Sequence, residues 1–281
     1  MNSTRLILAI CLLTSASLAL AQNDSCESLI LRDGIVSLPM QASGQPAVAV
    51  LNTGVLPIGI SRTLAQNIGR EVEPVPSRNI VWSSIPIITG QVSDVPVRIF
   101  GQDLQIEQMY VMENPLPFVY MSLFMFNDFI VQLNIPKSQL CFLNRKALNM
   151  RDAANIEVHD ASGKIAVQVS INKSKPVWLE LQLEYTGAVR LNRDAAQELG
   201  LDVPADIAKT SIDSLMFGPY ELGNIAVDLP PASLAGGSQL QRMGRRGGGG
   251  VKTSGVLGYE ILKHFVVTLD AKGEKMHVIV P

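Results

Sequence analysis

The chain has 281 residues, 47% of them apolar and only 17% charged, with Gly 22 and Pro 16. That composition excludes a disordered or collagen-like chain. Lys+Arg 23 against Asp+Glu 25 gives a formal net charge of -2, which argues against a general nucleic-acid binder and leaves room for one large core or two small ones.

Residues 1–21 begin with a single charge, Arg5, followed by an apolar stretch from Leu6 to Leu13 and a small-residue end, Ala19-Leu20-Ala21. This is the pattern of a cleaved signal peptide. A membrane anchor is the alternative, but about 20 unbroken apolar residues are needed to span a bilayer, and Thr14, Ser15 and Ser17 interrupt the run. Cleavage leaves 260 of the 281 residues, with a formal charge of -3 once Arg5 is gone. No later segment is apolar over a spanning length, so the expected product is secreted or periplasmic.

Cys11 leaves with the signal, and Cys26 and Cys141 remain as an even pair. In an exported chain the pair reads as a disulfide, worth on the order of 3–5 kcal/mol in the loop-entropy model. Two separate thiols are the alternative.

From here the chain repeats itself. Ala47-Val48-Ala49-Val50-Leu51 runs into Asn52-Thr53-Gly54, and a strand-like run over residues 179–184 meets Tyr185-Thr186-Gly187-Ala188. A short helix follows each corner, over residues 61–69 and 192–200. Each opens at a polar N-cap candidate (Ser61, Asn192) and ends at a glycine (Gly69, Gly200). Strand pairs come next around Phe100-Gly101 and Phe217-Gly218. Each half closes with an apolar strand and a hairpin, from Phe129 and from Phe265. The expected organisation is a first lobe over residues 22–150 and a second over 151–281. Each is mostly short strands with one brief helix, so the fold class is all-β.

Strand, T-G corner, short helix ending in Gly, hairpin and a V-L-G segment before the last strands resemble the retropepsin-like aspartic proteases. The second half carries the pattern at Tyr185-Thr186-Gly187-Ala188, Leu199-Gly200-Leu201 and Val256-Leu257-Gly258-Tyr259. The first carries it at Asn52-Thr53-Gly54, with Met121-Ser122 where the second half has Leu257-Gly258. The resemblance implies two retropepsin-like lobes in one chain, meeting at their T-G turns. Thr53 and Thr186 then interlock the turns, and the segments 82–88 and 215–222 are cleft walls.

The chemistry departs from that family at its centre. An aspartic protease needs two carboxylates that share one proton. The resemblance assigns those positions to Asn52 and Tyr185, an amide that does not titrate and a phenol that is a poor base at neutral pH. Glu184 offers a carboxylate one residue away, but adjacent side chains on a strand face opposite ways. His159, His264 and His277 lack metal-ligand spacing, and no metal or cofactor is implied. Residues 247–253 superficially resemble a phosphate loop, yet Val251 stands where glycine is required before Lys252. The wider segment 236–255 is Gly-rich and basic, with Arg242, Arg245, Arg246 and Lys252 and no acid. It is either a cationic lid for an anionic ligand or a solvated insertion. The aromatic stretch 118–126 is expected in the first core, or lining a groove for an extended peptide.

The sequence thus points to an exported, monomeric, catalytically inactive pseudoprotease that binds a peptide or protein between its lobes. An active aspartyl-type peptidase, or another hydrolase using non-standard residues, is the alternative.

Overall fold

The computed structural model describes residues 25–53, 58–75, 88–145, 148–161, 164–201, 204, 206–230 and 251–281. The expected signal-peptide segment, Gly54, residues 82–87 of the first expected cleft wall, and Arg242, Arg245 and Arg246 lie outside the described residues.

Alternating burial along the strands builds the fold. In β3 (Ile35–Ala42) and β4 (Gln45–Asn52), the buried residues include Leu38, Met40, Ala42, Ala49 and Leu51. Their neighbours Pro39, Gln41, Val48 and Val50 are more exposed, as the period of two requires, while Ser37 and Asn52 are buried as well. β3 and β4 form a hairpin. With β5 (Gly59–Ser61), β6 (Ile88–Ile99), β7 (Gln102–Met112) and β8 (Phe118–Ser122) they run in the order β3-β4-β8-β5-β7-β6, and β6 pairs back to β3. The sheet closes on itself into a small barrel. β2 (Ile30–Arg32) adds to the outside of β3.

The second half repeats this order. β12 (Ile165–Ile171), β13 (Val177–Leu181), β14 (Val189–Leu191), β15 (Lys209–Phe217), β16 (Tyr220–Asp228) and β17 (Gly255–Leu257) run β12-β13-β17-β14-β16-β15, closed by β15 onto β12. Parallel pairs fall at equivalent places, β4 with β8 and β13 with β17.

The closing hairpins join the halves. β9 (Ile130–Asn134) and β10 (Gln139–Leu143) meet β18 (Val266–Asp270) and β19 (Lys275–Ile279) through an antiparallel β9–β18 pair. There Gln132 donates to the Thr268 hydroxyl at 3.0 Å. β1 (Ser25–Ser28) lies on β10, and β11 (Ile156–Asp160) lies on β19. Cys26 and Cys141 face each other in the β1–β10 register and are joined as the expected disulfide, across 115 residues of sequence.

Among the described residues the α-helices are few and short: α1 (Arg62–Asn67), α2 (Met150–Ala153), α3 (Arg193–Glu198) and α4 (Tyr259–Leu262). The aromatic stretch is mainly core, with Phe118, Met121, Leu123 and Phe126 buried and Met125 exposed.

The second expected cleft wall is corrected. Residues 215–222 form the β15–β16 hairpin, whose Leu215 and Phe217 are fully buried. A Cβ on its turn residue Gly218, at φ +60, would sit 3.1 Å from Ile156 and Val278. The Phe217 ring meets Phe265 edge-on at 5.3 Å. Apolar packing therefore draws this hairpin onto β11, β19 and the segment before β18, and it is a wall of the core.

Candidate functional site

The turn after β4 is the point where the halves interlock. Asn52 and Thr53 are both fully buried. The Thr53 hydroxyl donates to the carbonyl of Leu181, and it accepts from the N–H of Leu183 at 3.4 Å. One side chain of the first half thus satisfies two backbone groups of the second. Leu183 sits opposite with no hydroxyl to return, so the interlock is one-sided.

Strand register identifies the residue that corresponds to Asn52. Ser61 and Asn192 are the N-caps of α1 and α3, so Ile60 and Leu191 before them are counterparts. Ile60 pairs with Val119 and Leu191 with Gly255, which makes Met121 the counterpart of Leu257 and Ser122 that of Gly258. Leu51 pairs with Met121, and Leu181 with Leu257. The residue matching Asn52 is therefore Gln182, three positions before Tyr185. The Thr53 bonds to Leu181 and Leu183 bracket the same residue independently. The sequence alignment of the two T-G corners is corrected accordingly. Thr186 is exposed, lies against Gly34 and takes no part in the interlock.

Tyr185 instead belongs to a turn docked on α4. Its carbonyl accepts from Tyr259 N–H at 2.8 Å, and the Gly187 carbonyl accepts from Glu260 N–H at 3.2 Å. A Cβ on Gly258 would strike the Gly187 carbonyl, the Tyr185 carbonyl and the Tyr185 ring, so the close approach requires glycine there. The Tyr185 hydroxyl donates to Asp228 Oδ2 at 2.5 Å and lies 3.3 Å from the Val189 carbonyl. Loss of water, then the Asp228 hydrogen bond and charge, push its pKa far above the ordinary phenol value, with Arg190 pulling the other way. Tyr185 is a neutral donor locked on Asp228, and it cannot serve as a base.

Around Gln182 runs a chain of polar contacts. Gln182 donates to Glu180 Oε2 at 3.1 Å, and its Oε1 lies 3.4 Å from the Arg190 guanidinium. Glu180 also accepts from Lys164 at 2.8 Å and from the Thr253 hydroxyl at 3.1 Å. The Arg190 guanidinium sits over the Tyr185 ring, 4.8 Å from its centroid. Glu184 keeps an exposed surface, yet water loss around its carboxyl raises its pKa; backbone hydrogen bonds from its own amide and from Thr53, and the Lys164 charge, oppose the rise. Tyr120, half-buried on β8, is raised by burial and then by the Glu184 charge.

Lys252 is exposed, 4.0 Å from Glu198 on α3. A cavity of about 400 Å³ lies elsewhere, lined by Ile130, Arg145, Met150, Asp270 and Lys275 among others. Among the described residues no group of three His, Cys, Asp or Glu is placed to hold a metal ion. Sequence reading missed Gln182, Glu180, Arg190 and Asp228. One signal against the T-G alignment was available: the N-caps Ser61 and Asn192 are 131 positions apart, whereas Thr53 and Thr186 are 133 apart, although that offset carries Asn52 to Leu183, one residue past Gln182.

No protein-family model and no curated protein matches the chain. Among solved structures, it is similar to basic 7S globulin from soybean at 9% identity, over 91% of this chain and 94% of that one, with a TM-score of 0.49. It is also similar to a retropepsin-like aspartic protease from Rickettsia conorii at 15% identity, over 44% of this chain and 90% of that one, with a TM-score of 0.30. At such scores the fold rests on the strand topology of this chain itself.

Proposed function

We propose that this is an exported protein with the architecture of a duplicated, two-lobed retropepsin-like aspartic protease. Its lobes are residues 22–150 and 151–281 of a monomer, it lacks aspartic-protease chemistry, and it holds a peptide or protein segment between the lobes. One observation carries this reading: Thr53, the neighbour of Asn52, is bonded to the residues on either side of Gln182, which matches Asn52 in strand register. Two amides cannot share and transfer a proton as two carboxylates do. The interlock itself is retained in part, so the frame outlives the chemistry. Export is supported by the N-terminal apolar run and by the Cys26–Cys141 bond, which suits an oxidising compartment. Among the described residues no helix is long and apolar enough to cross a membrane.

The test incubates the full mature chain with unfolded casein from pH 3 to pH 8 and follows both cleavage and binding of casein-derived peptides by fluorescence anisotropy. The expected result is peptide binding without cleavage, unaffected by pepstatin. A second reading has its own observation: Glu184 stands beside the Thr53 amide with a raised affinity for its proton. Cleavage that is lost in Glu184→Gln would replace the binding protein with a single-carboxylate hydrolase.

A further inference from the structure

Arg190 differs from its internal counterpart in a way that barrel packing does not require. The N-cap alignment matches it to Gly59 of the first half. At this place the second half has gained a partly buried guanidinium that reaches Gln182, the residue matching Asn52.

The surrounding acids are engaged with other groups. Glu180 is held by Lys164, Thr253 and Gln182. Asp228 is held by the Tyr185 hydroxyl, with Lys209 at 3.9 Å from its other oxygen. Glu184 faces the Thr53 amide. Among the described residues no carboxylate lies within ion-pair distance of Arg190, whose neighbours are an amide oxygen at 3.4 Å and the Tyr185 ring. The acids whose side chains lie outside the described residues are Asp24, Asp160 and Asp202. An arginine stacked on an aromatic face has its planar fork held in one orientation, with most N–H donors still open, and that fork fits a carboxylate through two parallel hydrogen bonds.

We propose that Arg190 is a carboxylate-recognising residue at the centre of the interlobe site, so that the bound peptide presents an Asp or Glu side chain or a free C-terminus beside Gln182. This rests on the peptide-binding reading above. Tyr185 and Asp228 are then positioning residues: the phenol anchored on Asp228 fixes the ring on which the guanidinium lies.

The test uses the full mature chain and fluorescein-labelled octapeptides from an unfolded casein digest. Each peptide is made with a central Glu or a central Gln, and with a free or an amidated C-terminus. The wild type is expected to bind the carboxylate forms about ten- to hundred-fold more tightly than their neutral partners, the range of a charged hydrogen bond. The arm that loses affinity tells a side-chain carboxylate from a terminal one. Arg190→Gln is expected to abolish that preference, so that carboxylate and neutral peptides bind it alike. Arg190→Lys keeps the charge without the fork, and should keep a reduced preference. Thermal melts of both variants confirm folding. Peptides that bind wild type without a carboxylate preference, or a preference that survives Arg190→Gln, would overturn this assignment and leave peptide binding standing. No binding by any of the peptides would overturn both.

Discussion

The turn after β4 and the turn after β13 occupy the same place in two barrels of the same strand order, yet they are built from different chemistry. The first is Asn52-Thr53, fully buried, with a hydroxyl that crosses to the other half. The second is Gln182-Leu183-Glu184, lined with polar contacts and followed by an extra turn that lays Tyr185 over Gly187 and Gly258. Barrel closure fixes strand register through the inward apolar residues, because slipping one residue would expose a whole face. The turn between strands is under no such constraint. Its length and its T-G motif can therefore shift along the sequence while the barrel stays in place.

Four experiments would break or sharpen this comparison. The largest effect is expected at the clasp of the first half. Replacing both Cys26 and Cys141 with Ala should cost about 4 kcal/mol in urea unfolding, because the bond constrains a long loop of the unfolded chain; β11, lying on β19 in the second half, provides an internal reference without such a bond. Next comes Gly258→Ser, which places in the second half the residue that the first half carries as Ser122. Collision with the Gly187 carbonyl and the Tyr185 ring should cost about 3 kcal/mol, read as a fall in Tm. An unchanged Tm would mean that the Tyr185 turn does not sit where the two halves differ.

Thr53→Val keeps the shape of the interlock and deletes its hydroxyl. It leaves the Leu181 carbonyl and the Leu183 N–H buried without that partner, at a cost of about 2 kcal/mol in the same urea measurement. Thr186→Val should change stability little, since Thr186 is exposed. Equal losses from the two variants would restore the T-G corner to the interlock.

The smallest effect is expected from Tyr185→Phe, about 1 kcal/mol near neutral pH. Its sign with pH is definite. The folded pKa is raised above the ordinary phenol value near 10, so the stabilisation is present in full below about pH 10 and declines as pH rises toward the folded value. Wild-type stability should therefore fall more steeply with pH above about 10 than that of Tyr185→Phe. Parallel slopes would remove the Tyr185–Asp228 bond from the description of the turn.

Much of the fold was legible in the residues. The β-rich runs, the polar N-caps before the two short helices and the paired closing hairpins all recur in order, and each reflects local chemistry that needs no partner to be recognised. The cysteine pair was legible for the same reason. The hairpin at residues 215–222 was misplaced because its apolar residues fit a cleft wall and a core equally well in sequence. Only the Ile156 and Val278 side chains waiting on another sheet decide between them. The T-G corner misled because a motif of two residues seemed to outweigh a helix offset that already disagreed with it. Glu180, Arg190 and Asp228 carried no local signal, since they are brought together from β13, β14 and β16.

By itself, the sequence determined that this chain is an all-β protein whose elements recur in order, with the Cys26–Cys141 pair and no aspartate at either T-G corner, because composition, periodicity and turn chemistry are local. The tertiary structure decided which residues face each other between the halves. That choice depends on the register of closed barrels and on one hydroxyl crossing between them, so it makes Gln182, with Arg190 beside it, the counterpart of Asn52.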